Sequence, residues 1–307
     1  MSRLTDLILK LFQSEYRIAY REVTSENTLF RGGKGGKYKA LKTNWRFWYA
    51  DPILWEHEGK LCLFVEKYDM IENKGHIAIS YYDNGEFTVP KSIIIENFHM
   101  SFPHVFRYKN YTFMVPECSG AQQIRIYIMG ESIDNWSLFR TFDYDEIVDV
   151  VTYVDKKRIY FIASENNLDN LYQTKPRFFY IDDLLDFNCD LVDITDSVSS
   201  KQFSYTDRNG GALIEDNSDI IRVKQESTSR DYGKNCIFTK IVDYNENVFD
   251  EKVIGKSGVE QIKINMFPLF CRKKRTHSYA YMNDVEVVDV NVSNQKLTFL
   301  RKSNKLS

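Results

Sequence analysis

The chain has 307 residues, of which 43% are hydrophobic and 15% aromatic, enough apolar side chain for the core of one large all-β domain or of two smaller ones. Its formal net charge of −2 argues against a nucleic-acid-binding protein, because such proteins usually carry a basic balance. The five cysteines are widely spaced without a C-x-x-C pair, so they predict neither a zinc site nor a disulfide framework and indicate a reducing compartment.

Residues 3–13 have the apolar spacing of a helix, so the sequence predicts a short N-terminal helix within residues 1–14. Its apolar face consists of Leu4, Leu7, Ile8 and Leu11. Packing of this helix on the domain is the preferred interpretation, and peripheral membrane contact is the alternative because Arg3 and Lys10 lie in it. The stretch is too short and too polar for a secretory signal or a membrane span. We expect a cytoplasmic protein, with the inner face of a membrane as the alternative location.

Residues 15–23 alternate and predict a strand, and residues 31–37 predict a flexible loop. The loop reads R-G-G-K-G-G-K, which is similar in composition to a phosphate-binding loop. It lacks that motif, because Tyr38 follows Lys37 where Ser or Thr is required, and Arg31 takes the place of the first glycine. No G-x-G-x-x-G opens a helix elsewhere, so the common nucleotide-binding motifs are excluded.

From residue 48 onward short strands follow one another. One sequence motif, in which a Pro, two apolar runs around a polar turn and a terminal Glu stand at matching offsets, occurs twice, at 51–66 and at 102–117. Pro52 and Pro103 are 51 residues apart, as are Glu66 and Glu117. A period of that length made of strands indicates β-propeller blades. A third unit is predicted near Val148, ending at Glu165; a fourth near Asp207, with Gln225 in the place of the terminal Glu; and a weaker fifth at 265–292. The sequence therefore predicts one all-β domain, a five-bladed β-propeller spanning residues 1–307.

Acidic residues recur at matching positions in these units, and a propeller brings such positions together around its axis. Asp51, Glu117 and Asp149 are the predicted catalytic residues. Convergent carboxylates suit chemistry at an anomeric carbon, where one accepts a proton from the attacking hydroxyl and another assists the leaving group. Asp51 is the leading candidate for the base, because it distinguishes the first copy of the motif from the second, where Phe102 has the same position.

A second set of residues is predicted to bind substrate. It comprises Trp48, Glu66, His104, Arg208, Arg222, Gln225, Tyr232, His277 and Tyr279. Arg208, Arg222 and His277 are expected to meet a phosphate-bearing donor, although the partner of an inner-strand arginine such as Arg222 is either a bound anion or a carboxylate of this chain. His99 and His104 do not make a convincing metal pair, since their spacing across Pro103 does not put both on one side of a strand. We expect no metal and no cofactor.

The chain also resembles a known family over about 240 residues. The motifs are W-Y-A-D-P-I-L-W-E-H-E-G-K-L-C-L-F-V-E (48–66), H-M-S-F-P-H-V-F…M-V-P-E (99–117), V-D-V-V-T (148–152), I-I-R-V-K-Q-E…Y-G (220–233) and T-H-S-Y…V-E-V-V-D-V (276–290). They resemble the N-terminal domain of plant glucosamine inositolphosphorylceramide transferases, with relatives among bacterial surface-polysaccharide proteins. That family is similar in fold to the five-bladed arabinofuranosidase and levansucrase class, in which the Asp of an A-D-P-like motif is catalytic. The resemblance implies carbohydrate chemistry with Asp51 at the matching position.

The first functional hypothesis is a glycosyltransferase. It would add a sugar from an activated donor, either a nucleotide sugar or a sugar phosphate, to a lipid-linked or growing surface polysaccharide such as a capsule or O-antigen. A glycoside hydrolase acting on furanosides is the second hypothesis, and a noncatalytic glycan-binding propeller is the third. No nucleic-acid partner is expected.

Overall fold

The fold comes from a computed structural model that describes residues 15–155, 158–170, 172–198, 202–264 and 271–294; at 119, 271–274 and 293–294 it describes the backbone only. The predicted helix within residues 1–14 lies outside these ranges, as do the side chains of the basic run 272–274. The described residues form 23 strands, four 3-10 turns and a one-turn α-helix, α1 (Thr195–Val198). No helix among them has the length and apolar character needed to cross a bilayer.

Strands β1 to β23 are numbered in chain order. The two N-terminal strands are β1 (Glu15–Glu22) and β2 (Gly36–Ala40). The first blade consists of β3 (Phe47–His57), β4 (Lys60–Asp69), β5 (Lys74–Asp83), β6 (Glu86–Phe87) and β7 (Lys91–Ile94). The second consists of β8 (Ser101–Tyr108), β9 (Tyr111–Glu117), β10 (Gln123–Met129) and β11 (Trp136–Asp143).

The third blade consists of β12 (Ile147–Val154), β13 (Ile159–Asn166), β14 (Thr174–Ile181) and β15 (Val192–Asp193). The fourth consists of β16 (Ile214–Asp216), β17 (Asp219–Glu226), β18 (Asn235–Asn245) and β19 (Val248–Ser257). The remaining strands are β20 (Ile262–Ile264), β21 (Cys271–Arg275), β22 (Tyr279–Met282) and β23 (Val285–Asn294). Every pairing within these sheets but one joins antiparallel strands; the exception is the short pairing of β2 with β20. The predicted all-β, five-bladed propeller is confirmed.

The fifth blade is built from both ends of the chain. Its strand order is β20-β2-β1-β23-β21, with β22 also paired to β23. Strand β1 pairs with β23 in continuous antiparallel register from Glu15 opposite Val292 to Glu22 opposite Val285. The predicted fifth unit at 265–292 was therefore incomplete, because the N-terminal strands supply its outer half. This pairing joins the two ends of the chain in one blade and so closes the ring of blades.

The glycine-rich loop serves this closure. Gly35 has a φ of 70°, and a Cβ added there would lie 2.0 Å from the carbonyl oxygen of Gln261. Only glycine allows this close approach with that backbone conformation. Arg31 donates hydrogen bonds to Asp216 and Glu26, so the basic side chain of the loop is engaged within the protein. These contacts give the glycines a packing role.

Aromatic side chains fill the spaces between neighbouring blades. Phe113 and Phe161 belong to one buried cluster shared by the second and third blades. Phe30, Phe238 and Tyr279 belong to another, shared by the fourth and fifth. Each such ring removes 150 to 250 Å² from water, on the order of several kcal/mol per ring, which explains the high aromatic content as strand packing.

The innermost strands of the first three blades share one distortion. Asp51, Phe102 and Asp149 have φ values of 51°, 45° and 47°, and the pairing register of each strand shifts at that point. Left-handed backbone is strained for residues other than glycine, so its recurrence at one blade position marks a structure held in place by its surroundings. Bulges of this kind redirect a side chain. Here they turn the side chains of Asp51 and Asp149 towards the same buried cluster.

The partner strands place a second set of side chains beside these bulges. Glu66 lies opposite Ala50, and Glu117 lies opposite Ser101. In the third blade the corresponding pair is Val148 with Ser164, so the assignment of Glu165 to this position was wrong by one residue. Because successive residues of a strand point to opposite faces, Glu165 instead forms ion pairs with Lys175 and Arg177.

Candidate active site

Five carboxylates gather where the innermost strands of the blades begin. They belong to Asp51, Glu66, Glu117, Asp149 and Asp289, and each is at most 9% exposed. The inner strands β3, β8, β12 and β22 contact one another in sequence around the axis, which brings these distant residues together. Among the described residues, the groups of the cluster that can carry a positive charge are Arg208, His277 and His99, whose Nε2 lies 3.5 Å from Oε1 of Glu66. The cluster therefore holds more acids than cations.

Asp51 is held by contacts from the two neighbouring blades, the second and the fifth. Its Oδ1 accepts a hydrogen bond from the Ser278 hydroxyl at 3.0 Å, and its Oδ2 accepts one from the Phe102 amide at 3.3 Å. The Nε2 atom of His277 lies 3.7 Å from the same Oδ1. These contacts fix the orientation of the carboxylate, which accepts two hydrogen bonds from the described part of the chain.

Asp289 organises the segment that faces Asp51. Its Oδ1 accepts hydrogen bonds from the backbone amides of His277 and Ser278, each at 3.0 Å. Its Oδ2 lies 2.5 Å from Nδ1 of His277 and accepts the Asp51 amide at 3.4 Å. A single carboxylate thus positions the imidazole, the serine hydroxyl and the backbone of the leading catalytic candidate.

Arg208 bridges the acids of two blades. Its Nε donates to Oδ2 of Asp149, and its Nη2 donates to Oε2 of Glu117 at 3.0 Å. Its third nitrogen reaches Oδ1 of Asn166 at 3.4 Å, and the guanidinium lies over the Tyr232 ring at 5.2 Å. Each of the three nitrogens of the guanidinium therefore already has an acceptor within the protein.

Among the described residues, two buried acceptors of the cluster have no hydrogen-bond partner, although Nε2 of His99 lies 3.5 Å from Oε1 of Glu66. Oε1 of Glu66 and Oε1 of Gln225 have no hydrogen bond, although both atoms are shielded from solvent. The amide of Gln225 is oriented by its own donations to Asp149 at 3.2 Å and to the Asn209 carbonyl at 2.7 Å. Unpaired buried acceptors cost about 1 to 3 kcal/mol each, a cost that a bound ligand with hydroxyl groups would remove.

The electrostatics of the cluster raise the pKa of several acids. Burial raises the pKa of Asp51 to about 6, with His277 acting against that rise and Asp149 adding to it. Burial also raises the pKa of Asp149 to about 7, partly offset by Arg208 and reinforced by Glu117. The pKa of Glu66 is raised well above its ordinary value by burial and by the neighbouring acids. Acids with split pKa values near neutrality are suited to proton transfer.

An aromatic wall borders the acids. Tyr16 stacks on the His277 ring at 4.6 Å, and Trp48 stacks on Tyr68 at 4.4 Å. Tyr16 also touches Trp48, with ring centroids 5.7 Å apart. Flat aromatic faces next to hydrogen-bonding groups are the usual combination for holding an amphipathic ring such as a sugar.

Most of the predicted residues are in this cluster, and three are not. His104 is in a neutral tautomer with Nε2 accepting from the Thr152 amide at 3.0 Å, burial holds its pKa at about 3, and it lines a different cavity of about 490 Å³ beside Trp55. Arg222 is buried in the fourth blade, where Glu251 and Asn209 bind it. The carboxylate of this chain is thus the partner of Arg222. Tyr279 donates to Glu286 at 2.9 Å inside the fifth-blade core.

Comparison with known proteins identifies the family. Residues 40–274 match the family described as glucosamine inositolphosphorylceramide transferase 1, N-terminal. The chain belongs to this family. The resemblance seen in the sequence motifs is therefore confirmed.

Two plant members show how much of the chain is shared. Glucosamine inositolphosphorylceramide transferase 1 of Arabidopsis thaliana is 31% identical over 120 residues, which is 38% of this chain and 16% of the plant protein. The protein of the same name from Oryza sativa subsp. indica is 31% identical over 91 residues, or 29% of this chain and 12% of that protein. The match thus covers a small part of each plant transferase.

Solved structures support the fold of this family member. The catalytic domain of a Coprinopsis cinerea family 62 α-L-arabinofuranosidase has a TM-score of 0.53 at 9% identity, covering 92% of this chain and 98% of that one. A thermostable family 43 glycoside hydrolase has a TM-score of 0.52 at 13% identity, covering 68% and 75%. At these identities the likeness shows a shared propeller architecture.

Several residues of the transferase-family site were not predicted. Asp289, Ser278, Tyr16 and Tyr68 all touch the acids or their wall. Asp289 could have been found from its position, because it lies in the second strand of the fifth blade, as Glu66 and Glu117 lie in the second strands of the first two blades. Tyr16 could not be placed, because its position depends on the closure of the ring by β1.

The site has one triad with metal-ligand spacing. Ligand atoms of Asp51, His277 and Asp289 lie within 4.8 Å of one another. Nδ1 of His277 is directed at the Asp289 carboxylate, and the other Asp289 oxygen accepts two amides. The three groups satisfy one another, so this donor set does not favour a metal over the internal hydrogen bonds.

Proposed function

We propose that this propeller is a glycosyltransferase whose axial carboxylates act at the anomeric carbon of a phosphate-bearing sugar donor. Asp51 is the base. It takes the proton of the acceptor hydroxyl while the acceptor oxygen bonds to the anomeric carbon and the bond to the donor phosphate breaks, leaving its electron pair on the phosphate oxygen. The observation that carries the proposal is the convergence of Asp51 with Glu66, Glu117 and Asp149 beside an aromatic wall.

Gln225 supports transfer from an activated donor. Its backbone amide bonds to the carbonyl of Arg208, so Gln225 has the position in the fourth blade that Glu66 and Glu117 have in the first two, and an amide side chain cannot deliver a proton to a leaving group. A phosphate leaving group does not require such a proton, whereas a sugar alcohol does.

The donor phosphate would compete with Asp149 for Arg208. The pKa of Asp149 is about 7, so slight acidity protonates it and releases a donor of Arg208 to the phosphate. Asp51 must remain ionised, which requires a pH above its pKa of about 6. We therefore expect a bell-shaped dependence of the transfer rate on pH with its maximum between these two values.

A glycoside hydrolase is the second candidate, favoured by the surplus of acids. Arg208 is already neutralised by Asp149 and Glu117, and Glu66 with its raised pKa could act as the general acid opposite Asp51. Two carboxyl groups in these roles are what glycoside hydrolysis requires.

The acceptor we propose is a lipid-linked or growing surface glycan at the inner face of a membrane. Exposed apolar side chains on loops around the site support it, with Trp45 at 66%, Ile71 at 50% and Leu168 at 71% exposure. Such side chains insert readily into a lipid interface. Sedimentation with anionic vesicles tests the idea, and a triple change of these residues to serine should abolish it; retention of full vesicle binding by that variant would count against it.

Thermal shift with nucleotide sugars, phosphoribosyl pyrophosphate and aryl furanosides separates the candidates. A transferase is stabilised by a donor and releases its phosphate-bearing leaving group only when a glycan acceptor is present, and Asp51→Asn loses this release. Asp169→Asn, a change at an exposed acid, is the matched control and should retain it. Release of free sugar from aryl furanosides without any donor would favour the hydrolase. Binding of glycans without turnover of any of these compounds would favour the third hypothesis, a noncatalytic glycan-binding propeller.

A further inference from the structure

The imidazole of His277 has a role in the site that the proposed transfer chemistry does not yet include. His277 lies between β21 and β22 and is 5% exposed. Its Nδ1 faces Oδ2 of Asp289 at 2.5 Å, and its Nε2 faces Oδ1 of Asp51 at 3.7 Å. The ring therefore lies between two carboxylates, one contacting each nitrogen.

The two carboxylates are not equivalent. Asp289 is fully buried and accepts the amides of His277, Ser278 and Asp51 in addition to the imidazole. Four donors hold it in one orientation as an acceptor, which fixes a proton on Nδ1 of His277. Asp51 accepts hydrogen bonds from two of the described residues, Ser278 and Phe102. Asp51 is thus the carboxylate left available to a substrate.

The ring cannot easily turn away from Asp51. Tyr16 covers one face, stacked at 4.6 Å with an interplanar angle of 14°, and Tyr232 meets the ring edge-on at 5.6 Å. Gly233 has a φ of 56°, and a Cβ added there would lie 2.5 Å from Cβ of His277. The backbone of that loop therefore closes against the histidine and leaves its side chain one orientation.

We propose that His277 is a positioning residue, held by Asp289 as an imidazolium, that keeps the Asp51 carboxylate ionised and oriented to accept the proton of the acceptor hydroxyl. The inference rests on the proposed role of Asp51 and adds a specific cause for its charge state. A neutral Asp51 in this buried, acid-rich site could not act as a base. The imidazolium supplies a positive charge that offsets the negative charge of the surrounding acids.

The charged groups around the ring agree with this arrangement. Burial opposes the charge on His277, but Asp289, Asp51 and Asp149 outweigh it, and the pKa of His277 is raised. The rings of Tyr16 and Tyr232 contact it from β1 and from the loop after β17; the pKa of each tyrosine is raised by burial, so both stay neutral. Arg275, at the end of β21, donates to the Tyr232 carbonyl at 3.0 Å and is a nearby group with the same positive sign as the imidazolium.

Titration by NMR of protein labelled with 13C at the histidine ring carbons tests the coupling directly, since the chain has five histidines to resolve. We expect His277 in the wild type to remain an imidazolium above the pH at which an ordinary histidine loses its proton. Asp289→Asn should lower its pKa by at least one unit, about a tenfold change in the proton-binding constant, and Asp51→Asn should lower it by less. An unchanged His277 pKa in both variants would overturn the proposal.

Because Asp289→Asn also removes backbone acceptors, a reciprocal variant keeps the test decisive. In His277→Gln the 13Cγ titration of Asp51 should move up by at least one unit, and the acid limb of the rate profile should move up with it by more than the limb set by Asp149 does. His57→Gln, a change at a partly exposed histidine beside Glu58, is the control and should move neither titration. No movement of Asp51 in His277→Gln would refute the coupling. A confirmed coupling together with full transfer activity in Asp51→Asn would instead refute the proposed function and leave the ion pair standing.

Discussion

Replacing Asp51 with asparagine is expected to stabilise the fold while removing the proposed base. The folded protein holds the pKa of this acid at about 6, against an ordinary value of 3.8. A difference of this size corresponds to about 3 kcal/mol of unfavourable free energy when the group is ionised. In the variant one of the two donors, Ser278 or Phe102, loses its acceptor, which lowers the gain in stability by about 1 kcal/mol. The net gain in the free energy of unfolding is therefore about 2 kcal/mol near neutral pH.

The sign of the effect depends on pH. The native state binds the Asp51 proton more tightly than the unfolded chain does, so wild-type stability falls as pH rises from 3.8 to about 6. Asparagine has no such dependence. The advantage of Asp51→Asn should be complete above this interval and should disappear below it.

Urea unfolding of both proteins, followed by tryptophan fluorescence on either side of that interval, measures the difference. Asp169→Asn, at an exposed position, should show almost no change at either pH. If Asp51→Asn is destabilised equally at both pH values, the carboxylate is not held at an energetic cost and the electrostatic argument fails.

Three further predictions concern the packing of the fourth and fifth blades and the aromatic wall of the site. Glu251→Gln should lower the free energy of unfolding by about 3 kcal/mol in urea titrations, because the buried Arg222 guanidinium loses its carboxylate. Gly35→Ala should cost about 3 kcal/mol in the same assay, since its Cβ would meet the Gln261 carbonyl at 2.0 Å in a left-handed backbone. Trp48→Ala should weaken saccharide binding about tenfold in calorimetric titrations, because a stacking face of the wall is lost.

Each of these changes has a matched control in the chain. Asp250→Asn alters an exposed acid beside Glu251 and should leave stability unchanged. Gly32→Ala, at a φ of 79° with no atom within 4 Å of the added Cβ, should cost only about 1 kcal/mol. Trp45→Ala removes a tryptophan that is 66% exposed and should not affect binding of a soluble saccharide. Equal losses in a variant and its control would contradict the reasoning for that pair.

The blade period was predictable because the alternation and turn residues that define a strand pair are local in sequence. The same is true of the bulge positions, since Asp51, Phe102 and Asp149 occupy one place in three units. The sequence even contained the correct offset for the third blade. Glu66 follows Asp51 by 15 residues and Glu117 follows Phe102 by 15, which leads from Asp149 to Ser164. The prediction of Glu165 took the nearest Glu in place of the residue at that offset, and it was therefore one residue too far along the chain.

Residue type and spacing did not tell which candidates face the axis. Arg222 is on an inner strand of its blade, yet its partners Glu251 and Asn209 point it into the sheet packing. His104 is two residues from Phe102, but it faces Thr152 and a different cavity. The direction of a side chain in a bulged strand depends on the neighbouring blade, and that neighbour is about 50 residues away in sequence.

The sequence by itself determined the five repeated strand units, the family, and Asp51 as the distinctive acid, because each depends on residues close together in the chain. Only the tertiary structure decided that β1 completes the last blade, that Asp289 holds His277 against Asp51, and that Arg208 is shared by Asp149 and Glu117. Those contacts join residues from opposite ends of the chain or from different blades. Their geometry follows from closure of the ring, which no local pattern specifies.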